Sequence, residues 1–169
     1  MSDVIGVLRD GQLAGDARRQ KIEEIAYSHF DFERMSRLVL ARNWRDLDDA
    51  QRSAFEAEFR KHLSLTYGRR LNSYTDEQIK IVEARKAGRS DVQVLTKVIG
   101  GAAGPDGIAI DYRLRERDGN WLVIDVIVEG VSLIQNFRAQ VQDIISTKGV
   151  SSLLEILREK NAKDEAAAA

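Results

Sequence analysis

An α+β fold is predicted for this 169-residue chain by two changes of hydrophobic period and by the turn signals between them. Apolar residues recur at helical spacing up to Leu71, alternate one-in-two from about Asp76 to Glu116, and return to helical spacing after Ser132. Glycine-rich or charged turns separate the alternating runs. Helices, then strands, then helices predict N- and C-terminal helices grouped on one face of a curved antiparallel sheet of about four strands.

The elements follow in order. Between Asp16 and Tyr27, Ile22, Ile25 and Ala26 predict a first amphipathic helix, and Asp31 is placed to cap a short second one carrying Met35, Leu38 and Val39. Asp48 with Gln51 three residues on is a capping pair. It opens a long helix in which Phe55, Phe59, Leu63, Tyr67 and Leu71 recur every four residues, with Gly68 predicting a bend or fraying near its end.

Strand runs then carry Ile79 and Ile81; Val92, Val94 and Val98; and Ile108, Ile110, Tyr112 and Leu114. Arg85 to Ser90 and Gly100 to Gly107 are the hairpin connections. Asp118-Gly119 is a tight-turn dipeptide before a fourth run, Asn120 to Val128, which is apolar on both parities and therefore predicted to be covered on both faces. The strand stops at Gly130, and Ser132 with Gln135 fits a second capping box. Its helix is predicted to about Thr147, broken at Lys148-Gly149, with Ser151 or Ser152 opening a last helix to about Asn161.

Composition narrows the function classes. The length suits a single domain, residues 1–165, and a chain this size buries about 70% of its unfolded surface. With 26 basic and 27 acidic residues there is no global field to attract nucleic acid. The absence of cysteine removes disulfides, thiolate catalysis and cysteine–zinc sites. No apolar run reaches the roughly 20 residues of a membrane helix. No signal peptide is evident, and Met1-Ser2 and Ala166 to Ala169 (residues 166–169, a terminal tail) are read as recombinant edges.

No nucleophile-elbow, zinc-protease or phosphate-loop motif occurs, and His29 and His62 sit in no nucleophile or metal pattern. Asp125 and Glu129, at even separation, are either a paired-carboxylate site or groups that tie down nearby backbone or arginines such as Arg138 and Arg42. Arg42, Arg45, Arg69, Arg70, Arg85, Lys86 and Arg89 are read either as a basic surface for an anionic partner or as solvated helix and loop faces.

Two blocks carry a resemblance. Asp125-x-x-x-Glu129-Gly130-Val131-Ser132, with Asn136, Arg138 and Lys148-Gly149, is one. The other is Val39-Leu40-Ala41-Arg42-Asn43-Trp44, then Ala50-Gln51-Arg52, Phe55, Phe59, Leu63, Tyr67-Gly68 and Leu71. Together, over about residues 30 to 160, they resemble the MlaC family, the toluene-tolerance auxiliary family of lipid carriers. Ala41 departs from the pattern, where a glycine is expected.

The resemblance implies a nuclear-transport-factor-2-like cone and a phospholipid cargo with its acyl tails inside the fold. It implies a monomeric, non-enzymatic carrier in the periplasm, its leader absent from this sequence. Such a carrier shuttles lipid between an outer-membrane lipoprotein complex and an inner-membrane ABC transporter with MCE-domain subunits, and needs no metal or cofactor. Tail contact is then expected from Ile108, Ile110, Tyr112 and Leu114, from Val94 and Val98, and from Phe55, Phe59, Leu63 and Tyr67, with Leu38 and Trp44 at the mouth. Ordinary core packing is the competing reading for each. Strand register is open, so the parity through Val123, Asp125 and Ile127 is the alternative inward face. A hopanoid or isoprenoid cargo, an isomerase-like enzyme on the same cone, and a filled-core adaptor are the alternatives of function.

Overall fold

A computed structural model describes residues 20, 21, 24, 25, 27–71 and 77–167, with no account of the side chains of 68–71 and 102. Helical backbone is present at 20, 21, 24, 25 and 27–29, whereas Ile22 and Ala26 of the predicted first helix lie outside the described residues. The elements are α1 (Phe32–Leu40), a 3-10 turn (Ala41–Asp46), α2 (Asp49–Leu71), β1 (Gln78–Lys86), β2 (Asp91–Ile99), a 3-10 turn (Gly101–Ala103), β3 (Ile108–Arg117), β4 (Asn120–Val128), β5 (Val131–Ser132), α3 (Leu133–Lys148) and α4 (Val150–Ala166). They form two compact units, each discontinuous in sequence. One comprises Met1–Asp31 with Arg70–Leu133 and the other Phe32–Arg69 with Ile134–Ala169.

The first unit is an antiparallel five-stranded sheet in the order β1-β2-β3-β4-β5, one strand more than the hydrophobic pattern gives. Its hairpins are set by backbone chemistry. Asp118 and Gly119 both adopt positive φ, 51° and 79°, the type I′ geometry that matches the twist of flanking strands. Glu129 and Gly130 repeat it at 49° and 79°, folding β4 back onto β5. Gly107, at φ 70°, approaches the neighbouring strand so closely that an added Cβ would lie 2.6 Å from the Val98 carbonyl oxygen. Only glycine fits there.

That second turn explains the acidic motif. Glu129 exchanges a backbone N–H bond to the Ala109 carbonyl, 2.9 Å, and its Oε1 accepts the Ala109 N–H at 2.5 Å. Ser132 donates its hydroxyl to Asp125 at 2.6 Å and ends β5, with α3 starting one residue later. The predicted even spacing of Asp125 and Glu129 on one strand face therefore does not hold, because Glu129 lies beyond the strand in a turn.

The second unit is helical. Asp48 and Gln51 form the reciprocal capping box, Gln51 N–H to Asp48 Oδ1 at 2.8 Å and Asp48 N–H to Gln51 Oε1 at 3.0 Å. α2 continues as helix through Gly68 to Leu71. Gly149, at φ 80°, makes the predicted break between α3 and α4, and α4 runs to Ala166, beyond the expected Asn161. The core of this unit holds Met35, Val39, Leu40, Phe55, Phe59, Val141 and Leu153 at 0–1% exposure. Asn43 donates to Gln142 Oε1 at 3.0 Å, and Gln142 donates to the Leu40 carbonyl at 3.4 Å, joining the end of α1 to α3.

Candidate functional site

The registers settle which strand residues share a face. Val92 lies opposite Leu114, Val94 opposite Tyr112, Thr96 opposite Ile110 and Val98 opposite Ile108. Tyr112 and Ile110 in turn lie opposite Val126 and Val128 on β4. Directly paired residues point to the same side, so Val94, Val98, Ile108, Ile110, Tyr112 and Leu114 form one apolar face, which Val126 and Val128 extend. All eight are half-buried, leaving apolar surface accessible.

Two polar groups fall on this face, and neither makes it polar. Thr96 is 5% exposed and donates its hydroxyl to the Ile110 carbonyl. Burial pushes the Tyr112 phenol up to about 12, so it stays neutral under all physiological conditions.

The other face carries charge. Gln93, Asp111, Arg113, Arg115 and Asp91 share it, with Gln93 donating to Asp111 at 3.2 Å. Asp91 is 3% exposed and accepts from Arg113 Nε at 2.7 Å and Arg115 Nε at 2.5 Å. Burial alone would raise its carboxyl, but the two guanidinium hydrogen bonds outweigh that and hold it below the usual carboxylate range. A bulge divides the alternative parity. Leu114 pairs with Val123 and Arg113 with Asp125, leaving Ile124 as the extra residue, so Val123 is on the apolar side while Asp125 and Ile127 are on the charged one.

The helical candidates separate by rotation along α2. Each residue advances about 100°, so a four-residue step drifts by about 40°. Phe55 and Phe59, 0% and 1% exposed, stack at 5.9 Å, and Phe59 meets Phe137 of α3 at 4.9 Å. They close the helical core and present no surface to a ligand in this conformation. Leu63 and Tyr67 have drifted away and are half-buried. The line of Phe55 is continued instead by His62, two turns on, which is 6% exposed and packs its ring on Phe137 at 4.9 Å.

His62 anchors a buried polar chain. Its Nδ1 lies 3.2 Å from Asn161 Oδ1, and Asn161 donates through Nδ2 to the Glu58 backbone carbonyl and carboxylate, both at 2.9 Å. Since the Asn161 amide nitrogen is committed to Glu58, its oxygen accepts, which puts the His62 proton on Nδ1. Burial, and then Lys160, lower the His62 pKa below its ordinary value.

Leu38 and Trp44 are half-buried in the helical unit. The guanidiniums of Arg37 and Arg52 each lie over the Trp44 ring, 5.3 Å from its centre, and Arg52 also donates to the Trp44 carbonyl at 3.1 Å. Of the basic residues, Arg42 and Arg45 are exposed in the helical unit and Arg85 and Arg89 in the sheet unit, as is Lys86; the side chains of Arg69 and Arg70 lie outside the described residues. Among the described residues no cluster of three or more His, Asp or Glu is placed to hold a metal, and no helix is long and apolar enough to cross a membrane. The sequence reading missed Val126, Val128 and Phe137, and it named His62 only as a histidine outside any nucleophile or metal pattern. A heptad count from Phe55 finds His62, whereas nothing in the β4 run, apolar on both parities, marks its bulge.

Three likenesses bear on this arrangement. The family described as MlaC protein matches residues 1–159. The toluene tolerance protein ttg2D of Pseudomonas putida is 31% identical over 101 residues, covering 59% of this chain and 45% of that protein, so the match spans about half of the relative's length. A phospholipid-binding protein from Ralstonia solanacearum, solved in complex with a phospholipid, superposes with a TM-score of 0.81 over 97% of this chain and 93% of its own, at 24% identity. At that identity the superposition establishes a common fold.

Proposed function

This chain belongs to the MlaC family, and on that premise we propose that it is a phospholipid carrier whose acyl-tail contacts come from the apolar face of the sheet. The observation that carries the reading is the half-buried face of Val94, Val98, Ile108, Ile110, Tyr112 and Leu114, extended by Val126 and Val128. A sheet face that met only protein would bury such residues fully. This one keeps accessible apolar surface and leaves no unpaired polar group at Thr96.

The physical demand on a carrier is large. Each buried methylene is worth ~0.8 kcal/mol, so two acyl tails in water cost tens of kcal/mol and leave a bilayer unaided only slowly. A face that offers the tails hydrocarbon-like surroundings removes most of that cost, and no covalent step is needed. Within the helical unit, Leu38, Trp44, Leu63 and Tyr67 retain accessible surface, while Phe55 and Phe59 are sealed in that unit's core. In the cell the carrier moves phospholipid through the periplasm between an outer-membrane lipoprotein complex and an inner-membrane ABC transporter with MCE-domain subunits. The support for that itinerary is family membership.

Native mass spectrometry of the protein purified from bacteria, followed by solvent extraction and lipid identification, tests the reading. A phospholipid at about one per chain is expected, and its loss in Ile110→Asp at unchanged circular dichroism. A bare mass that persists after incubation with phospholipid vesicles overturns the proposal, and an extracted isoprenoid lipid redirects it to a different cargo.

A further inference from the structure

At one end of the sheet β1 pairs, among the described residues, only with β2, and eight of its nine residues are exposed, all but Ile79. Ile81 and Val82 expose 73% and 66% of their surface, the largest values among the exposed large hydrophobics. An edge strand of this length with apolar residues at its centre is a template for another strand. The question is which strand its side chains would accept.

The answer lies in the bulge. Against β2, Ile79, Ile81, Ala84 and Lys86 are opposite Val98, Thr96, Val94 and Val92, and Gln78, Lys80, Glu83 and Arg85 are opposite Ile99, Lys97, Leu95 and Gln93; Val82 is the extra residue. The first set therefore shares the apolar side and the second the charged side. The extra residue reverses parity halfway along, so positions equidistant from the Ile81–Val82 bond lie on the same side of the sheet. A second copy of β1 set beside the first by a two-fold axis perpendicular to the sheet, running between the two strands at the level of that bond, then matches side to side along the strand. Ile79 falls opposite Ala84 of the second copy, Lys80 opposite Glu83 and Gln78 opposite Arg85, each pair occurring twice. Ile81 and Val82 meet at the axis.

We infer that β1 is a self-recognition edge, through which two copies of this chain join their sheets antiparallel about the Ile81–Val82 bond, held in register by two Lys80–Glu83 ion pairs. The side chains of Lys80 and Glu83 make no hydrogen bond or ion pair among the described residues, so both are available. The register is selective. A shift of two residues one way sets Lys80 against Arg85, and a shift of one sets the charged side against the apolar one. The lysine and the bulge that blunt this edge toward foreign strands are the elements that fit its own copy. The inference departs from the monomer that the resemblance implies and is independent of the lipid reading.

Analytical ultracentrifugation of the full chain over a concentration series tests it. Reversible dimerisation is expected, weakened about 10- to 100-fold in Lys80→Glu, which puts like charges opposite each other twice. The double change Lys80→Glu with Glu83→Lys should restore it, and both variants should keep the circular dichroism of the parent because the positions are exposed. A chain that stays monomeric at every concentration overturns the inference. So does a dimer indifferent to Lys80→Glu, or one the double change does not rescue.

Discussion

The sheet unit and the helical unit take similar apolar patterns to different ends. On β2 and β3 the apolar residues stay half-buried, and the charged partners on the reverse side, Asp91 with Arg113 and Arg115, are tied to one another. In the helical unit Phe55, Phe59 and Phe137 close on each other, and even its buried polar residues, His62, Asn161 and Glu58, form a chain. One unit leaves apolar surface accessible on its sheet and the other seals its aromatic residues in a core. The difference is invisible in hydropathy and arises from how each period meets its geometry.

The largest effect that would break this contrast is in the aromatic core. Phe59→Ala should cost about 3–5 kcal/mol in urea unfolding, because the ring leaves a cavity between α2 and α3. Leu114→Ala, on the half-open sheet face, should cost less than half as much, and equal losses at the two sites would erase the distinction. Next comes the polar chain. Asn161→Ala leaves His62 and Glu58 without their shared partner and should cost about 1–3 kcal/mol, measured in the same way.

pH sharpens the comparison further. Burial lowers the folded pKa of His62 below its unfolded value of 6.5, so the unfolded chain binds the proton first. Stability is therefore fully present above about pH 6.5 and lost as pH falls through the folded pKa, with a slope of at most ~1.4 kcal/mol per pH unit from this group. Denaturant midpoints between about pH 8 and pH 5 should show that slope, and His62→Gln should flatten it. The smallest effect is at Ala41, held at φ 53°, where an alanine is strained and a glycine is not. Ala41→Gly should raise stability by about 0.5–1 kcal/mol in the thermal midpoint.

Where local chemistry decides an outcome, the sequence was legible. Asp48 with Gln51, Asp118-Gly119 and Gly149 act on their own neighbours, and each does what its residue types require. Alternation within each strand likewise grouped Val94 with Val98, and Ile108 with Ile110, Tyr112 and Leu114, while the register that joins the two groups on one face was left open by the sequence. What failed is cumulative or long-range. The four-residue stripe on α2 rotates away from the core by Leu63, and Ser132 bonds Asp125 across a turn instead of serving only the helix after it. The β4 bulge inserts Ile124 with no marker in a run that is apolar on both parities. The glycine expected at position 41 was a correct signal of backbone shape, met here by a residue that tolerates it poorly.

The bond from the Thr96 hydroxyl to the Ile110 carbonyl has a thermodynamic consequence. With that donor already spent, solvent resting on this part of the sheet has little to hold it, and a guest that displaces it breaks few water bonds. Calorimetry of an apolar guest should then show a negative heat-capacity change that grows with each added methylene and barely responds to a change of polar group.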